Sequence, residues 1–558
     1  MTILSKTAKL YLKGKDTFIS ALVEYAAVML VLIINVYSIY NGEGGSNQPY
    51  FVLIYTYYSN LIIILFSLIK SVLFFRKGKR SNLDEVLGKS AYKINLAKFI
   101  VLFINLIILA ISIGVTEGLA MKALGATNSM YGYLLMKVLV EIVLVGLTLI
   151  FVGFALSQIP NVFASYGLCL VMIYLASNAS RISVFEARQK MGFLPFMELF
   201  SLMTPQNVEG YSLLYGMQVE STRVYGMLFV IALCALTIII VKYFANIKKL
   251  MVFALSIACI MILFALKAIN IGSMYRPLSA TLAECYCSDE EDAKLDQDEA
   301  RTNKGFNVEP TDYRVTAYNM KFHIDNELTA SVNMRIENRG VPDEYVFGLF
   351  GGYEISSLTG SAGEKLDYTK EGNVIKIHNS SGKNIDEITI KYHGKSYRCW
   401  TNSKSVFLPG YFSYYPRPVD LEKTEDFSCG AYLDCNKADY DVMIDGVKTY
   451  SNLRETGGHF VGNSANVFFL GGECEKRSVE GHDYIVPTLL VDKKYSALKA
   501  FSDVDEMKAK QNADDKLTEK LQANRSNKMI VDRSLFVEDI KNGDPRFNAY
   551  ESYDYIVY

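Results

Sequence analysis

The chain has 558 residues, of which 51% are hydrophobic and 21% charged, and its formal net charge is −1. This balance, without a basic stripe, excludes the charge pattern of a nucleic-acid-binding protein. The long apolar runs lie in residues 1–270, whereas the rest of the chain carries most of the charge. One part is therefore suited to lipid and the other to water.

Changes in composition divide the chain into four regions. Residues 1–270 hold the apolar runs, and residues 271–310 are acidic and poor in large apolar side chains, as is typical of a linker. Hydrophobicity alternates with a period of two in residues 311–492, and residues 493–558 combine a charged helical pattern with a last strand. We expect an α-helical membrane bundle, a mainly β, sandwich-like domain and a short helical C-terminal region.

Seven apolar runs in the first region are candidate membrane spans. A helix needs about 20 residues to cross a hydrocarbon core of roughly 30 Å. The fifth run is the shortest, and whether it crosses completely stays open. The runs are Phe18–Tyr40, Tyr50–Phe75, Asn95–Val115, Tyr133–Leu156, Asn161–Ser177, Val224–Phe244 and Met251–Asn270.

Basic residues predict the orientation of these spans. They are concentrated in the N-terminal lead-in and after the second and sixth runs, whereas the first and third loops have almost none. Because Lys and Arg accumulate on the cytoplasmic side, we expect a multi-pass protein of the cell membrane with a cytoplasmic N-terminus. Seven crossings then place the C-terminal domain outside the cell. The basic residues of the loop Arg181–Arg223 oppose this assignment.

Charged residues also lie inside the apolar runs. Glu24 is in the first run, and Lys137 and Glu141 are four residues apart in the fourth, a spacing that puts them on one helical face. Such charges form internal ion pairs, reach to the membrane interface or line a substrate path. The sequence leaves these alternatives open. Gly146 and Gly153 in the fourth run predict close helix packing.

The segment Arg80–Lys98 predicts a short charged helix on the inner face, because Ser81 can cap it and acidic residues occupy its first turn. Its pattern resembles the coupling loop of permease subunits of ABC-type exporters. The resemblance implies docking of a separate ABC ATPase subunit, and a second permease subunit or a second copy of the chain in the bilayer. The usual subunit has six spans, so the seventh run is a departure. The matching residues are Asp84, Glu85, Leu87, Lys93 and Lys98.

The stretch Val406–Pro418 is dense in aromatic residues and prolines and lies between predicted strands. Together with the strand order, it resembles the N-terminal β-domain of aminopeptidase N-like zinc metallopeptidases over residues 311–492. The resemblance implies a fold without the chemistry, because the zinc-binding H-E-x-x-H motif is absent. The aromatic cluster Tyr411–Tyr415 is interpreted either as a contact surface or as a rigid turn packed on the sheet.

The sequence also lacks the G-x-x-x-x-G-K-[ST] motif of a P-loop. We therefore expect no enzymatic activity, no catalytic residue, no cofactor and no metal site in this chain, and any ATP hydrolysis would come from a partner. Of the nine cysteines, Cys429 and Cys435 form the candidate local disulfide in the part predicted to be extracellular. Free thiols are the alternative.

The sequence is consistent with two functions. The first is the membrane permease subunit of an ATP-driven ABC-type exporter, coupled to a separate ATPase and carrying an extracellular β-domain for substrate or partner binding. The second is a membrane-anchored extracellular binding or sensor protein without transport activity. Seven spans are more than an anchor needs, which favours the first. The sequence specifies neither the transported substrate nor the direction of transport.

Overall fold

A computed structural model of the chain was analysed. The residues it describes are 15–41, 48–55, 57–76, 91–176, 202, 211–214, 216–217, 224, 226–235, 310–325, 327–380, 382–394, 401–402, 404–410, 412–420, 436–490, 494–510, 519, 522–523, 525–535, 550–551 and 554–557. The chain forms two compact units. The helical unit comprises Met1–Tyr211, Met217–Tyr275 and Leu489–Val491, and the β unit comprises Ser212–Gly216, Arg276–Thr488 and Asp492–Tyr558.

The helical unit is built from apolar helices. Helices α5 and α6 are continuous with a π-helical segment, Val138–Leu144, that lies between them. The helices are α1 Lys15–Tyr40, α2 Pro49–Tyr55, α3 Tyr57–Arg76, α4 Ala91–Ala123, α5 Asn128–Lys137, α6 Val145–Ser157, α7 Val162–Ala176 and α8 Gly226–Ala235.

Three helices of the described part are long and apolar enough to cross a membrane: Phe18–Tyr40, Ile94–Ala123 and Asn128–Ser157. The predicted count of seven spans is not supported. The second predicted run is divided between α2 and α3, and the fifth corresponds to α7, which has 15 residues. Of the sixth run, α8 is the described helical part, and residues 236–244 lie outside the described residues. The seventh run lies outside the described residues. Apolar composition and length thus indicate association with a membrane.

Glycines let the helices pack closely, as predicted for the fourth run. A Cβ on Gly153 would lie 2.4 Å from the Cβ of Ser71 and 3.2 Å from the backbone nitrogen of Val72, both in α3. A Cβ on Gly146 would lie 2.4 Å from a methyl carbon of Leu106 in α4. Helix α6 therefore approaches both neighbours at positions where any larger residue would displace them.

The outward faces of the helices are apolar. On α1, Leu30 is 61% exposed, and Ile33 and Ile34 are exposed to a similar extent. The opposite face holds Val28 and Leu32, which are fully buried against α3 and α4. Apolar side chains on both faces are typical of a helix with protein on one side and lipid on the other.

The β unit contains strands arranged in four sheets, and β1 and β2 form a separate short hairpin. The strands are β1 Tyr211–Ser212, β2 Gly216–Met217, β3 Tyr313–Ile324, β4 Leu328–Asn338, β5 Glu344–Gly348, β6 Tyr353–Gly360, β7 Tyr368–Glu371, β8 Val374–His378, β9 Glu387–Gly394, β10 Thr401–Asn402, β11 Ser405–Leu408, β12 Arg417–Pro418, β13 Ala438–Asp445, β14 Tyr450–Ser451, β15 Arg454–Thr456, β16 His459–Ser464, β17 Phe469–Gly471, β18 Cys474–Val479, β19 His482–Pro487, β20 Met529–Val531, β21 Tyr550–Glu551 and β22 Tyr555–Val557.

The largest sheet has seven strands in the order β15-β16-β13-β3-β4-β9-β6. All its pairs are antiparallel except β13 with β3. The alternation predicted from the sequence is confirmed, because Tyr318, Met320, Phe322 and Ile324 of β3 are all buried. One face of the sheet therefore covers the core, while the residues between these positions point to the other face.

Two four-stranded sheets, β10-β11-β17-β14 and β12-β5-β8-β7, share the same hydrophobic core with the large sheet. Aromatic rings fill much of this core. Tyr318 stacks on Tyr440 with the ring centroids 5.0 Å apart, and the ring of Tyr415 meets Tyr318 edge-on at 5.4 Å. The mainly β, multi-sheet architecture agrees with the coarse prediction for this region.

The C-terminal part does not form a separate extension. Strands β20, β21 and β22 join β18 and β19 in one mixed sheet of order β18-β19-β20-β22-β21, so the predicted boundary at residue 492 divides a single sheet. The charged helical pattern forms α9, Ala497–Lys510. Its Ala497 and Ala500 pack on Tyr484, Val486 and Ile530 of this sheet.

Candidate functional site

Two deeply buried charges of the helical unit form an ion pair between α4 and α5. The Nζ of Lys137 lies 2.8 Å from Oε1 of Glu117, and the side chains are 1% and 0% exposed. Lys137 also donates to the backbone carbonyl of Val52 in α2, at 3.3 Å. Three helices thus meet at one ammonium group. Breaking such a buried pair by removing one partner costs about 3–5 kcal/mol.

The π-helical segment begins directly after Lys137 and contains Glu141. Glu141 is buried, and its Oε2 accepts a hydrogen bond of 3.2 Å from the side-chain amide of Asn60 in α3. Lys137 and Glu141 thus contact different neighbours, Glu117 in α4 and Asn60 in α3. Of the alternatives that the sequence leaves open for Lys137, the structure shows the internal ion pair, with Glu117 as its partner. Single-turn π segments are frequently found at functional sites.

A second ion pair links α1 and α3. The Nζ of Lys70 lies 2.5 Å from Oε2 of Glu24, and the hydroxyl of Ser67 donates to the other carboxylate oxygen at 2.9 Å. The two charged side chains are 11% and 7% exposed. Both carboxylate oxygens of Glu24 are thus satisfied within the protein. This geometry favours the internal ion pair over a side chain that reaches to the interface.

The sequence identified one member of each contact and missed the other. Glu24, Lys137 and Glu141 were singled out, whereas their partners Lys70, Glu117 and Asn60 were not. Glu117 lies two residues beyond the predicted end of the third span at Val115, but helix α4 continues to Ala123. For Glu24 and Lys70, the available signal was a single charge of opposite sign in each of the first two apolar runs.

Most of the residues that the resemblance implies for ATPase coupling lie in a part of the chain that the structure does not describe. Asp84, Glu85 and Leu87 lie outside the described residues, and Lys93 lies in α4 without a described side chain. Lys98 is fully buried, and its Nζ is 3.4 Å from the carbonyl oxygen of Phe75 near the end of α3. Its ammonium group therefore serves the end of a neighbouring helix rather than an exposed docking surface.

The aromatic stretch of the β unit is structural where it is described. Tyr414 and Tyr415 are fully buried, and their hydroxyl groups contact the carbonyl of Val467 at 2.7 Å and the hydroxyl of Tyr440 at 3.1 Å. Burial raises the pKa of Tyr414 and of Tyr440 well above the ordinary value. Of the two interpretations left open by the sequence, the packed turn applies to these residues and the exposed contact surface does not.

Four histidines of the β unit face a carboxylate on an adjacent strand. The pairs are His323 with Asp445, His378 with Glu344, His393 with Glu354 and His459 with Asp441. Within the described parts of the chain, no three side chains of His, Cys, Asp or Glu are grouped so that they could hold a metal ion. These histidines are cross-strand partners on the surface of the sheets.

The predicted disulfide cannot be placed, because Cys429 and Cys435 lie outside the described residues. Cys474 is described, and it is a buried free thiol at the start of β18. Burial raises its pKa from 9.0 to about 12. A thiol held in its neutral form in this way is a poor nucleophile, so Cys474 is a packing residue.

No family model and no curated protein matches this chain. Among solved structures, it is similar to an M1 zinc metallopeptidase from Deinococcus radiodurans, at 10% identity and a TM-score of 0.30, over 45% of this chain and 61% of that one. It is also similar to leukotriene A4 hydrolase from Saccharomyces cerevisiae, at 12% identity and a TM-score of 0.25, over 42% and 41%. The chain thus spans less than two thirds of the length of either structure.

The candidate functional site is therefore the set of buried charges between the helices, and chiefly the Glu117–Lys137 pair beside the π segment. Each charged group is held by a partner on another helix. A movement of one helix must either carry its partner along or exchange one buried contact for another. In such an arrangement, a change in helix packing and a change in the buried ion pairs occur together.

Proposed function

We propose that the chain is the membrane permease subunit of an ATP-driven ABC-type exporter. A separate ATPase subunit supplies the energy, and a second permease subunit or a second copy of this chain completes the pathway. The chain itself is not an enzyme, because its sequence has no P-loop with which to hydrolyse ATP. The N-terminus is cytoplasmic, and the β unit is extracellular and binds the substrate or a partner.

The observation that carries the proposal is the buried Glu117–Lys137 pair beside a π-helical segment. A charged residue at membrane depth costs about 2.5–3.5 kcal/mol on insertion scales. An anchor that only holds an extracellular domain has no use for such residues, whereas a helix bundle that changes its packing during transport does. The pair therefore supports movement between helices.

A membrane-anchored binding or sensor protein is the second candidate. The observation that favours it is the size of the β unit, in which several sheets share one hydrophobic core formed by residues of that unit alone. A domain of this kind can bind a ligand without any help from moving helices. The helices would then serve only to hold it at the membrane.

Purification from membranes in a mild detergent tests the first proposal. We expect a P-loop ATPase to copurify, and we expect the double reversal Asp84→Lys/Glu85→Lys to uncouple ATP hydrolysis from the transport cycle while the protein stays folded. The matched control is the same double reversal at two exposed residues of the β unit, Asp367 and Glu371. Recovery of the chain alone, without any nucleotide-dependent conformational change, would favour the membrane-anchored binding or sensor protein.

A further inference from the structure

Five residues of the β unit come from a part of the chain whose flanking segments belong to the helical unit. Ser212–Gly216 lie between α7 and α8 in the sequence, yet they belong to the same compact unit as residues 310–488. The short strands β1 and β2, which pair with each other, include the first and the last residue of this segment. We call Ser212–Gly216 the anchor loop.

Leu214 is the central residue of the anchor loop. Its side chain is fully buried in the main hydrophobic cluster of the β unit, the cluster that also holds the residues of β3, β4 and β11. Its carbonyl oxygen accepts a hydrogen bond of 2.7 Å from the backbone N–H of Glu473. Burial of the leucine side chain and the backbone hydrogen bond both hold the loop to the β unit.

Gly472 shows that the β unit is shaped to receive this loop. Its φ is +138°, and a Cβ at this position would lie 2.3 Å from the carbonyl oxygen of Leu214 and 2.9 Å from the hydroxyl of Ser405. Only glycine allows the backbone to approach the carbonyl so closely. Gly472 directly precedes Glu473, the hydrogen-bond donor. The close approach of the anchor loop thus requires a residue without a side chain at this position.

We propose that the anchor loop is a fixed part of the β unit and that it determines the topology of the following chain. A single hydrophobic core cannot be divided by a lipid bilayer, because its residues must touch. The anchor loop and the strands from Tyr313 onward therefore lie on the same side of the membrane. The chain between Gly216 and Tyr313 crosses the membrane an even number of times.

This inference restricts two predicted spans together. The run that contains α8 and the run Met251–Asn270 either both cross the membrane or both fail to cross. The inference holds whether or not the helices transport a substrate, since it depends only on the contacts of Leu214 and Gly472.

Hydrogen–deuterium exchange on the purified full-length protein tests the anchor. In Gly472→Ala, we expect the amide of Glu473 and the peptide 211–217 to exchange about tenfold faster or more, because the new Cβ displaces the Leu214 carbonyl. The matched control is Gly481→Ala, whose φ is +83° but whose Cβ would meet nothing within 4 Å. Equal exchange at Glu473 in the two variants would overturn the proposal that the anchor loop is fixed to the β unit.

A second pair of variants removes the side-chain contact instead. Leu214→Asp places a charge in the core, whereas Leu213→Asp changes the neighbouring half-buried residue. We expect cleavage of the peptide 211–217 by added protease to rise in the first variant and to change little in the second. Equal cleavage in both would show that Leu214 does not hold the loop.

Epitope tags on intact cells test the topology. One tag is inserted between Glu220 and Ser221, and the other replaces the exposed turn Ser361–Gly363 in the β unit. We expect antibody to reach both tags or neither before the cells are permeabilised, and both afterwards. Access to only one of the two tags in intact cells would overturn the proposal.

Discussion

Lys137 contacts Glu117 at 2.8 Å, whereas Glu141, four residues further along the same helix, accepts a hydrogen bond from Asn60. Two charges of one helix are thus satisfied by two different neighbours, α4 and α3. The π-helical segment starts directly after Lys137, at Val138, and contains Glu141. Each charge therefore responds to a different helix.

Glu117→Gln should destabilise the protein strongly. The substitution leaves the ammonium of Lys137 buried without its counter-charge, and we expect a loss of about 3–5 kcal/mol in the free energy of unfolding in detergent. Adding Lys137→Met should restore much of this loss, because both charges are then gone. Glu141→Gln is the matched control, since an amide oxygen can still accept from Asn60, and it should cost about 1 kcal/mol. Similar losses in Glu117→Gln and Glu141→Gln would contradict this account.

Ser67→Ala should weaken the link between α1 and α3. The Ser67 hydroxyl donates to the carboxylate of Glu24, and a hydrogen bond to a charged group contributes about 1.5–3 kcal/mol. Ser112→Ala is the control, because the exposed Ser112 hydroxyl donates only to the carbonyl of Ile108 on its own helix, and it should change stability by less than about 0.5 kcal/mol. Thermal unfolding of both variants in the same detergent makes the comparison, and equal shifts would speak against the Glu24 contact.

Local patterns in the sequence predicted much of the fold but not the partners of the buried charges. Period-two alternation identified the buried face of β3, from Tyr318 to Ile324, because side-chain direction in a strand follows directly from position. Apolar runs identified helices but not how they face one another, so Lys70 and Glu117 were missed. The direction of a helix face depends on packing and, at Val138–Leu144, on a change of backbone hydrogen bonding.

The anchor loop illustrates the same limit over a longer distance. Nothing in the segment Ser212–Gly216 distinguishes Leu214 from any other leucine in a loop. Its burial depends on Gly472, more than two hundred residues later, and on the shape of a core that only the folded strands create. Contacts between distant segments of this kind require the three-dimensional structure, or an alignment that shows paired changes.

Gly153→Ala should separate α6 from α3. The new Cβ would lie 2.4 Å from the Cβ of Ser71 and 3.2 Å from the backbone of Val72, so the helices must move apart, at a cost of about 1–3 kcal/mol. Gly167→Ala is the control, because a Cβ at that helical position meets nothing within 4 Å, and the better helix propensity of alanine should stabilise it by up to about 1 kcal/mol. Unfolding measurements should therefore give changes of opposite sign, and changes of the same sign would contradict the packing.

The free energy of unfolding of the β unit should fall as the pH rises above 9, because of the buried thiol of Cys474. Burial raises the pKa of its thiol from 9.0 to about 12, so between these values the unfolded chain releases a proton that the folded protein keeps. The stability contributed by the neutral thiol is complete below pH 9 and is lost as the pH rises toward 12, at up to about 1.4 kcal/mol per pH unit.

Urea unfolding of wild type and Cys474→Ala at pH 8, 9 and 10 measures the contribution of this thiol. Alanine leaves a small cavity, so we expect the variant to be less stable than wild type at pH 8 by about 1 kcal/mol. The difference should shrink toward pH 10, because only the wild-type protein loses stability from the thiol. A difference that stays constant over this range would mean that the thiol ionises equally in the folded and unfolded states. Labelling of the folded protein with a thiol reagent at pH 8 provides an independent reading, since a neutral, buried Cys474 should react far more slowly than the same residue in urea.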